Sequence, residues 1–357
     1  MMLWLALLGT AVAAAPLVYV WRSHDPHKFR KLAWVTAFLT LDLIMLGSFT
    51  RLTDSGLGCP DWPGCYGQST PWSASAQIRE AQTALPSGPV TMTKAWIEMA
   101  HRYFALAIGV LIIVLAVLAW RRARSSWLAT AALVWVCVQG AFGALTVTMR
   151  LQPAIVTMHL IGAIVLLVML TWLALRESPS MKVVAAPRVY ATAVVALAVL
   201  SIQVALGGWV SSNYAVMACP DFPLCQGELL PPMDFSHGFT WWRELGRTGE
   251  GEIVPFQALV AIHWTHRMFA IVVVTMVVAL IWQMRRHAEL SRLARGLLAL
   301  TALQLLTGLS NVVLQWPLLL AVLHSGGAAL MVGLLVAVIY RTSRKSLNSG
   351  FASPVPA

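Results

Sequence analysis

The chain has 357 residues, of which 59% are hydrophobic and only 11% charged, with a formal net charge of +11. This mix excludes an ordinary soluble domain and a disordered chain, and it fits a protein whose main solvent is lipid. The positive excess would suggest nucleic acid in a soluble protein; here its placement makes it a topology signal, and no nucleic-acid partner is expected.

The first apolar run, about 3–21, ends like a signal peptide but has no basic stretch before it, and "RSHDPHKFRK" follows at once. It reads as a retained span. Further runs long enough to cross a bilayer as helices lie at about 32–52, 97–119, 127–149, 154–175, 190–209, 259–282, 296–315 and 318–340. Sixteen tryptophans suit this reading, because indole favours the membrane–water interface. The stretches 22–31, 121–126, 176–188, 285–295 and 341–345 carry 17 of the 25 Lys and Arg. Taking them as cytoplasmic gives nine spans with the N-terminus out and the C-terminus in. The long loops 53–96 and 210–258, which hold most of the acidic residues, then lie outside.

Those two loops contain "CPDWPGC" at 59–65 and "CPDFPLC" at 219–225, an offset of 160, and Gly47 and Gly207 share it. Beyond the loops the offset becomes 165. "HRYFA" from 101 matches "HRMFA" from 266, Gln139 and Gly143 match Gln304 and Gly308, and His159 matches His324. A repeat of four spans entering from the same side predicts parallel halves related by an axis along the membrane normal. The expected fold class is an all-α polytopic membrane protein, two four-helix bundles plus one extra N-terminal span. Its divisions are an N-terminal span with linker at 1–31, a first half at 32–175, a linker at 176–189, a second half at 190–340 and a tail at 341–357.

Of nine histidines, His24, His27, His237 and His287 fall in polar loops. His101, His159, His263, His266 and His324 fall within apolar spans near their outer ends, where ionisable side chains are costly and face a bundle interior or cavity. His101 and His159 lie at similar depth on two spans running the same way, and His266 and His324 repeat the arrangement. Two imidazoles at one level of a bundle suit the two axial positions of a haem iron. The plainer reading is a hydrogen bond from each to a carbonyl on a neighbouring helix. Zinc is disfavoured, because neither pair has a third or fourth ligand at suitable spacing.

Glu98 precedes His101 by one turn, and His263 occupies its place in the second half. Such a carboxylate serves either proton transfer beside a bound group or the helix macrodipole. Arg102 and Arg267 suit haem propionates or snorkelling to the interface. Gln139 and Gln304 read as interhelical hydrogen-bonders. Each C-x5-C pair, Cys59 with Cys65 and Cys219 with Cys225, is a candidate disulfide in an oxidising compartment, either a staple or an exchanging bond. Cys137, inside a span, is expected to be a small buried hydrophobe.

Together "GSFTRLTDSGLGCPDWPGC", "EMAHRYFA", "TMHL", "HWTHRMFA" and "VLHS" resemble the haem A synthase family over about residues 32–340. The resemblance implies an oxidoreductase of the bacterial cytoplasmic membrane that converts the C8 methyl of haem O to a formyl group. It implies that His101 and His159 hold haem O or haem A, that His266 and His324 ligate haem B, and that Glu98 is the functional carboxylate. Cys219–Cys225 would be a structural disulfide and Cys59–Cys65 a pair linked to substrate handling or redox chemistry. Haem O, the farnesyltransferase that makes it, an electron donor, membrane lipid and a second copy of the chain are the implied partners. The extra first span departs from the usual eight, which suggests that its removal is tolerated. Two other readings compete: a di-haem cytochrome b that only transfers electrons, and a membrane thiol–disulfide exchange protein.

Overall fold

A computed structural model describes residues 1–122, 125–179, 183 and 187–343. Its helices are α1 (Met2–Arg22), α2 (Lys28–Leu52), α3 (Ser75–Ala84), α4 (Met92–Arg121), α5 (Ser126–Thr148), α6 (Pro153–Arg176), α7 (Pro187–Ser212), α8 (Phe235–Gly238), α9 (Phe256–Met284), α10 (Ser291–Val313) and α11 (Leu318–Thr342). Among the described residues β pairing is limited to isolated bridges in loops. All helices except α3 and α8 are long and apolar enough to cross a membrane, nine among the described residues. The chain is thus an all-α polytopic membrane protein. Of the expected cytoplasmic stretches, residues 123–124, 180–182, 184–186 and 344–357 lie outside the described residues.

Several helices begin earlier than their apolar runs. α4 starts at Met92 rather than near 97, because the Thr91 hydroxyl accepts from the Lys94 N–H at 3.2 Å and caps it. α10 starts at Ser291 rather than near 296, after a short 3-10 turn at Ala288–Leu290. Polar first turns continue a helix out of the bilayer without adding to its apolar length, so hydropathy alone places the boundary too late.

Helices α2, α4, α5 and α6 touch in a closed ring, α2–α4–α5–α6–α2, and α7, α9, α10 and α11 close a second ring in the same order. Between the rings α2 packs on α11, α7 on α6, and α6 on α11. Exchanging the halves carries the α2–α11 contact onto the α7–α6 contact, as a two-fold relation requires. Small residues permit this approach. A Cβ on Gly326 would stand 2.7 Å from the Met45 sulfur, and the hydroxyls of Ser48 and Ser325 meet at 2.9 Å. On the equivalent seam Gly208 lies against Thr157 and Leu160, and Thr157 Oγ1 is 3.2 Å from Ser212 Oγ.

Large apolar side chains such as Ile113, Val134, Ile202, Ile271, Leu306 and Leu319 are exposed, as expected where lipid is the solvent. Cys137 is one of this outward set, which corrects the expectation that it is buried. It lies on the face of α5 that carries exposed Val134 and Val138, turned away from the bundle.

α1 stands outside both rings but is not detached. It packs on α4, where a Cβ on Gly9 would lie only 2.8 Å from the Leu106 Cβ, and it also touches α2. Leu5, near its start, is buried with Cys59, Cys65, Ala74, Ile78, Ala95 and Met99. The first span therefore covers the cysteine loop of the first half, and its removal would uncover a small apolar cluster. Leu5→Ala is expected to cost about 2–5 kcal/mol of local stability. After mild reduction, Cys59 and Cys65 should label faster with a membrane-impermeant maleimide in this variant than in the parent, with Cys219 and Cys225 unchanged. Equal labelling of all four would show that α1 does not hold the loop.

Candidate functional site

The two cysteine loops fold alike. Cys59–Cys65 and Cys219–Cys225 are both disulfides. Inside the first, the Asp61 carboxylate accepts from the N–H of Tyr66 (2.6 Å) and of Gly67 (2.7 Å). Inside the second, Asp221 accepts from Gln226 and Gly227, both at 2.9 Å. Each loop reverses through two left-handed residues, Tyr66–Gly67 and Gln226–Gly227, the second of which is a glycine. The N–H of Gly227, followed by that of Gln226, holds the Asp221 carboxyl below the usual carboxylate range.

An arginine beneath each loop ties it to the bundle. Arg102 Nη1 donates to the carbonyls of Asp61 (2.9 Å) and Gly64 (2.6 Å). Arg267 Nη1 donates to those of Asp221 (2.8 Å) and Leu224 (3.0 Å), and its Nη2 to that of Cys219 (2.6 Å). The sequence reading gave these arginines haem propionates or the interface and did not foresee that their guanidinium groups donate to loop carbonyls. The signal was present: arginine and loop are duplicated together in the same repeat.

The halves part company at the next residue. Glu98 is buried, ion-paired through Oε1 to Arg102, and its Oε2 accepts from the Cys59 N–H at 2.8 Å. The carboxylate therefore joins helix, arginine and disulfide loop in one cluster. In the second half His263 is also buried, and its Nε2 accepts from Arg267 Nε at 3.2 Å. An acid with a compensating cation stands in one half, and an imidazole that accepts from the matching arginine in the other.

Below these clusters lie the paired imidazoles. His101 on α4 and His159 on α6 belong to opposite helices of the first ring, as His266 on α9 and His324 on α11 do in the second. Because α4 and α9 begin early, His101 and His266 sit deeper in their helices than the apolar runs implied. Each ring faces a glycine on another helix of its own half. A Cβ would lie 3.0 Å from His101 Cε1 if placed on Gly47, 3.1 Å from His266 Cε1 on Gly207, 3.2 Å from His324 Cε1 on Gly308 and 3.5 Å from His159 Cε1 on Gly143. Sequence reasoning placed these glycines in the repeat but assigned Gly47, Gly207 and Gly308 no contact with histidine.

Glutamines line the same level. Gln304 Nε2 donates to the His324 carbonyl at 3.0 Å, and Gln203 Nε2 to the His266 carbonyl at 3.1 Å. Buried Gln139 lies against Gly162, and half-buried Gln304 against Gly327, where any side chain would collide with the amide. Nδ1 of His101, His159 and His266 is buried without a hydrogen-bond partner among the described residues, whereas Nδ1 of His324 lies 2.9 Å from Thr307 Oγ1.

Residues 30–336 match the family model COX15-CtaA, described as cytochrome oxidase assembly protein. A protein of Shewanella oneidensis named Heme A synthase is 36% identical over 326 residues, covering 89% of this chain and 99% of that protein. Proteins of the same name from Halalkalibacterium halodurans and Caulobacter vibrioides are 28% and 29% identical, covering 84% and 87% of this chain and 89% and 95% of their own lengths. With most of its length matched by the family model and by a relative at this identity, the chain belongs to the COX15-CtaA family of cytochrome oxidase assembly proteins.

Proposed function

We propose that the chain is a haem A synthase, taking haem O as substrate and oxidising its C8 methyl group to a formyl group. The observation that carries this reading is the matched pair of imidazole pairs, each ring lying against a bare glycine, with a buried acid beside only one pair. In this reading His101 and His159 hold haem O and then haem A, and His266 and His324 hold haem B. The donor set fits: two imidazoles on opposite helices of each ring in an apolar bundle, with no group of three or more His, Cys, Asp or Glu placed to hold a metal ion among the described residues, suit axial ligation of a haem iron. Haem B, when bound, supplies a relay for electrons leaving the substrate.

With water as the oxygen source, converting a methyl to a formyl group (R–CH3 + H2O to R–CHO) releases four protons and four electrons, and the electrons pass to an external redox partner. Glu98 stands one turn from His101, and its carboxylate, balanced by Arg102 and the Cys59 N–H while ionised, is the group placed to take up a proton. His263 has its Nε2 lone pair occupied by Arg267, which leaves the second half without an equivalent base. Arg102 and Arg267 hold the disulfide loops over the two halves. The lysine and arginine distribution supports an N-out, C-in orientation in the bacterial cytoplasmic membrane, with both loops on the outer side. The farnesyltransferase that makes haem O and an external redox partner are the proposed partners.

Pigment extraction after expression with a haem O source tests the reading. Haem A accompanied by haem B supports it; two haem B per chain without conversion would point to an electron-transfer cytochrome, and absence of haem to thiol chemistry. Glu98→Gln is expected to lower the haem A to haem O ratio by about 100-fold or more while haem B is retained; an unchanged ratio would reduce Glu98 to a loop clamp. Gly47→Ala and Gly207→Ala, which press a methyl group against an imidazole, should each lower haem content in their own half. Gly143→Ala, with room for ordinary contact, should leave it unchanged. Soret absorbance per chain reads both outcomes, and equal content in all three variants would remove the glycines from the site.

A further inference from the structure

The imidazole pairs occupy matched positions but not matched surroundings. Thr307 Oγ1 lies 2.8 Å from the Leu303 carbonyl one turn earlier on α10 and 2.9 Å from His324 Nδ1 on α11. A hydroxyl has a single proton, and a carbonyl oxygen can only accept. The Thr307 proton therefore goes to Leu303, and toward His324 the hydroxyl oxygen accepts. Nδ1 of His324 must then carry its own proton, which leaves the lone pair on Nε2. That is the tautomer needed to bind a metal through Nε2, and an outer hydrogen bond of this kind also raises the basicity of the ligand.

At the repeat offset of 165, Thr307 corresponds to Phe142, which has no polar atom in its side chain. His159, the counterpart of His324, has an unpartnered Nδ1. The second difference runs the same way. Gln203, which donates to the His266 carbonyl, corresponds at the offset of 160 to Leu43. Both departures give polar support to the second pair and none to the first.

An enzyme whose cofactor and substrate are both haems must keep one and release the other, although both are held by the same kind of ligand. We infer that Thr307 is a positioning residue that fixes the His324 tautomer and makes the second half a retaining haem site, whereas Phe142 leaves the first half an exchanging one. This inference rests on the reading of the histidine pairs as haem ligands.

The test measures haem loss from purified full-length protein to apomyoglobin, followed in the Soret band. A His101→Ala, His159→Ala background confines the signal to haem B in the second half. In it, Thr307→Val, which keeps the branched shape, should release haem about 10-fold to 100-fold faster than the parent. Thr307→Ser, which keeps the hydroxyl, should release it at the parent rate. A Thr307→Val rate equal to the parent overturns the inference, as does equal acceleration by valine and serine, which would report shape alone. In the otherwise native chain, Phe142→Thr should slow the loss of haem A about 10-fold; an unchanged rate also counts against it. Failure of the underlying reading looks different: the background protein would then hold no haem B, or would keep it after His324→Ala.

Discussion

The edge of an imidazole can come this close to a neighbouring helix in a tight bundle where that helix gives up its side chain. Gly47, Gly143, Gly207 and Gly308 provide that space, one for each of the four paired histidines. Because protein interiors are packed at crystal-like density, a methyl group at the tighter of these positions would turn the ring rather than merely crowd it. The ring order of each half follows from this requirement. α2 must lie beside α4, and α5 beside α6, so that glycine and histidine meet; α7 with α9 and α10 with α11 repeat the arrangement. The small residues along the seam between the halves allow the two rings to share one interface without disturbing either pair.

Charge is handled as economically as space. Burying an arginine under a loop would be costly if its donors went unmet, and the carbonyls of the disulfide loops meet them. Each loop is in turn shaped by its own aspartate, so the sequence C-P-D encodes both the reversal and the socket for the arginine. Within this shared frame a single exchange, Glu98 for His263, changes the chemistry available below the loop. Removing one partner of the buried Glu98–Arg102 pair would leave the other uncompensated, so the first half depends on the pair being intact.

The nine apolar helices and the duplicated loop could be read from the sequence because they depend on local composition and on spacing along the chain. The starts of α4 and α10 could not, since Thr91 and the polar turn before Ser291 extend helices without adding hydrophobicity. The rotation of each helix about its axis is also invisible to hydropathy, which is why Cys137 was expected inside and lies outside. The same blindness hid the meeting of Arg102 and Arg267 with loop carbonyls and of Thr307 with His324. Such contacts join residues far apart in sequence, and only the packed bundle brings them together.

One asymmetry has a mechanical side. α1 is a membrane-length helix outside both rings, packed along α4, and its first turns enter the apolar cluster under the Cys59–Cys65 loop. A helix tilts when its apolar length and the local bilayer thickness disagree. A tilt of α1 would reach the first loop directly, and no span among the described residues stands in that relation to the second. Of the two nearly identical loops, the one above Glu98 is packed against a span that, among the described residues, has no counterpart under the other.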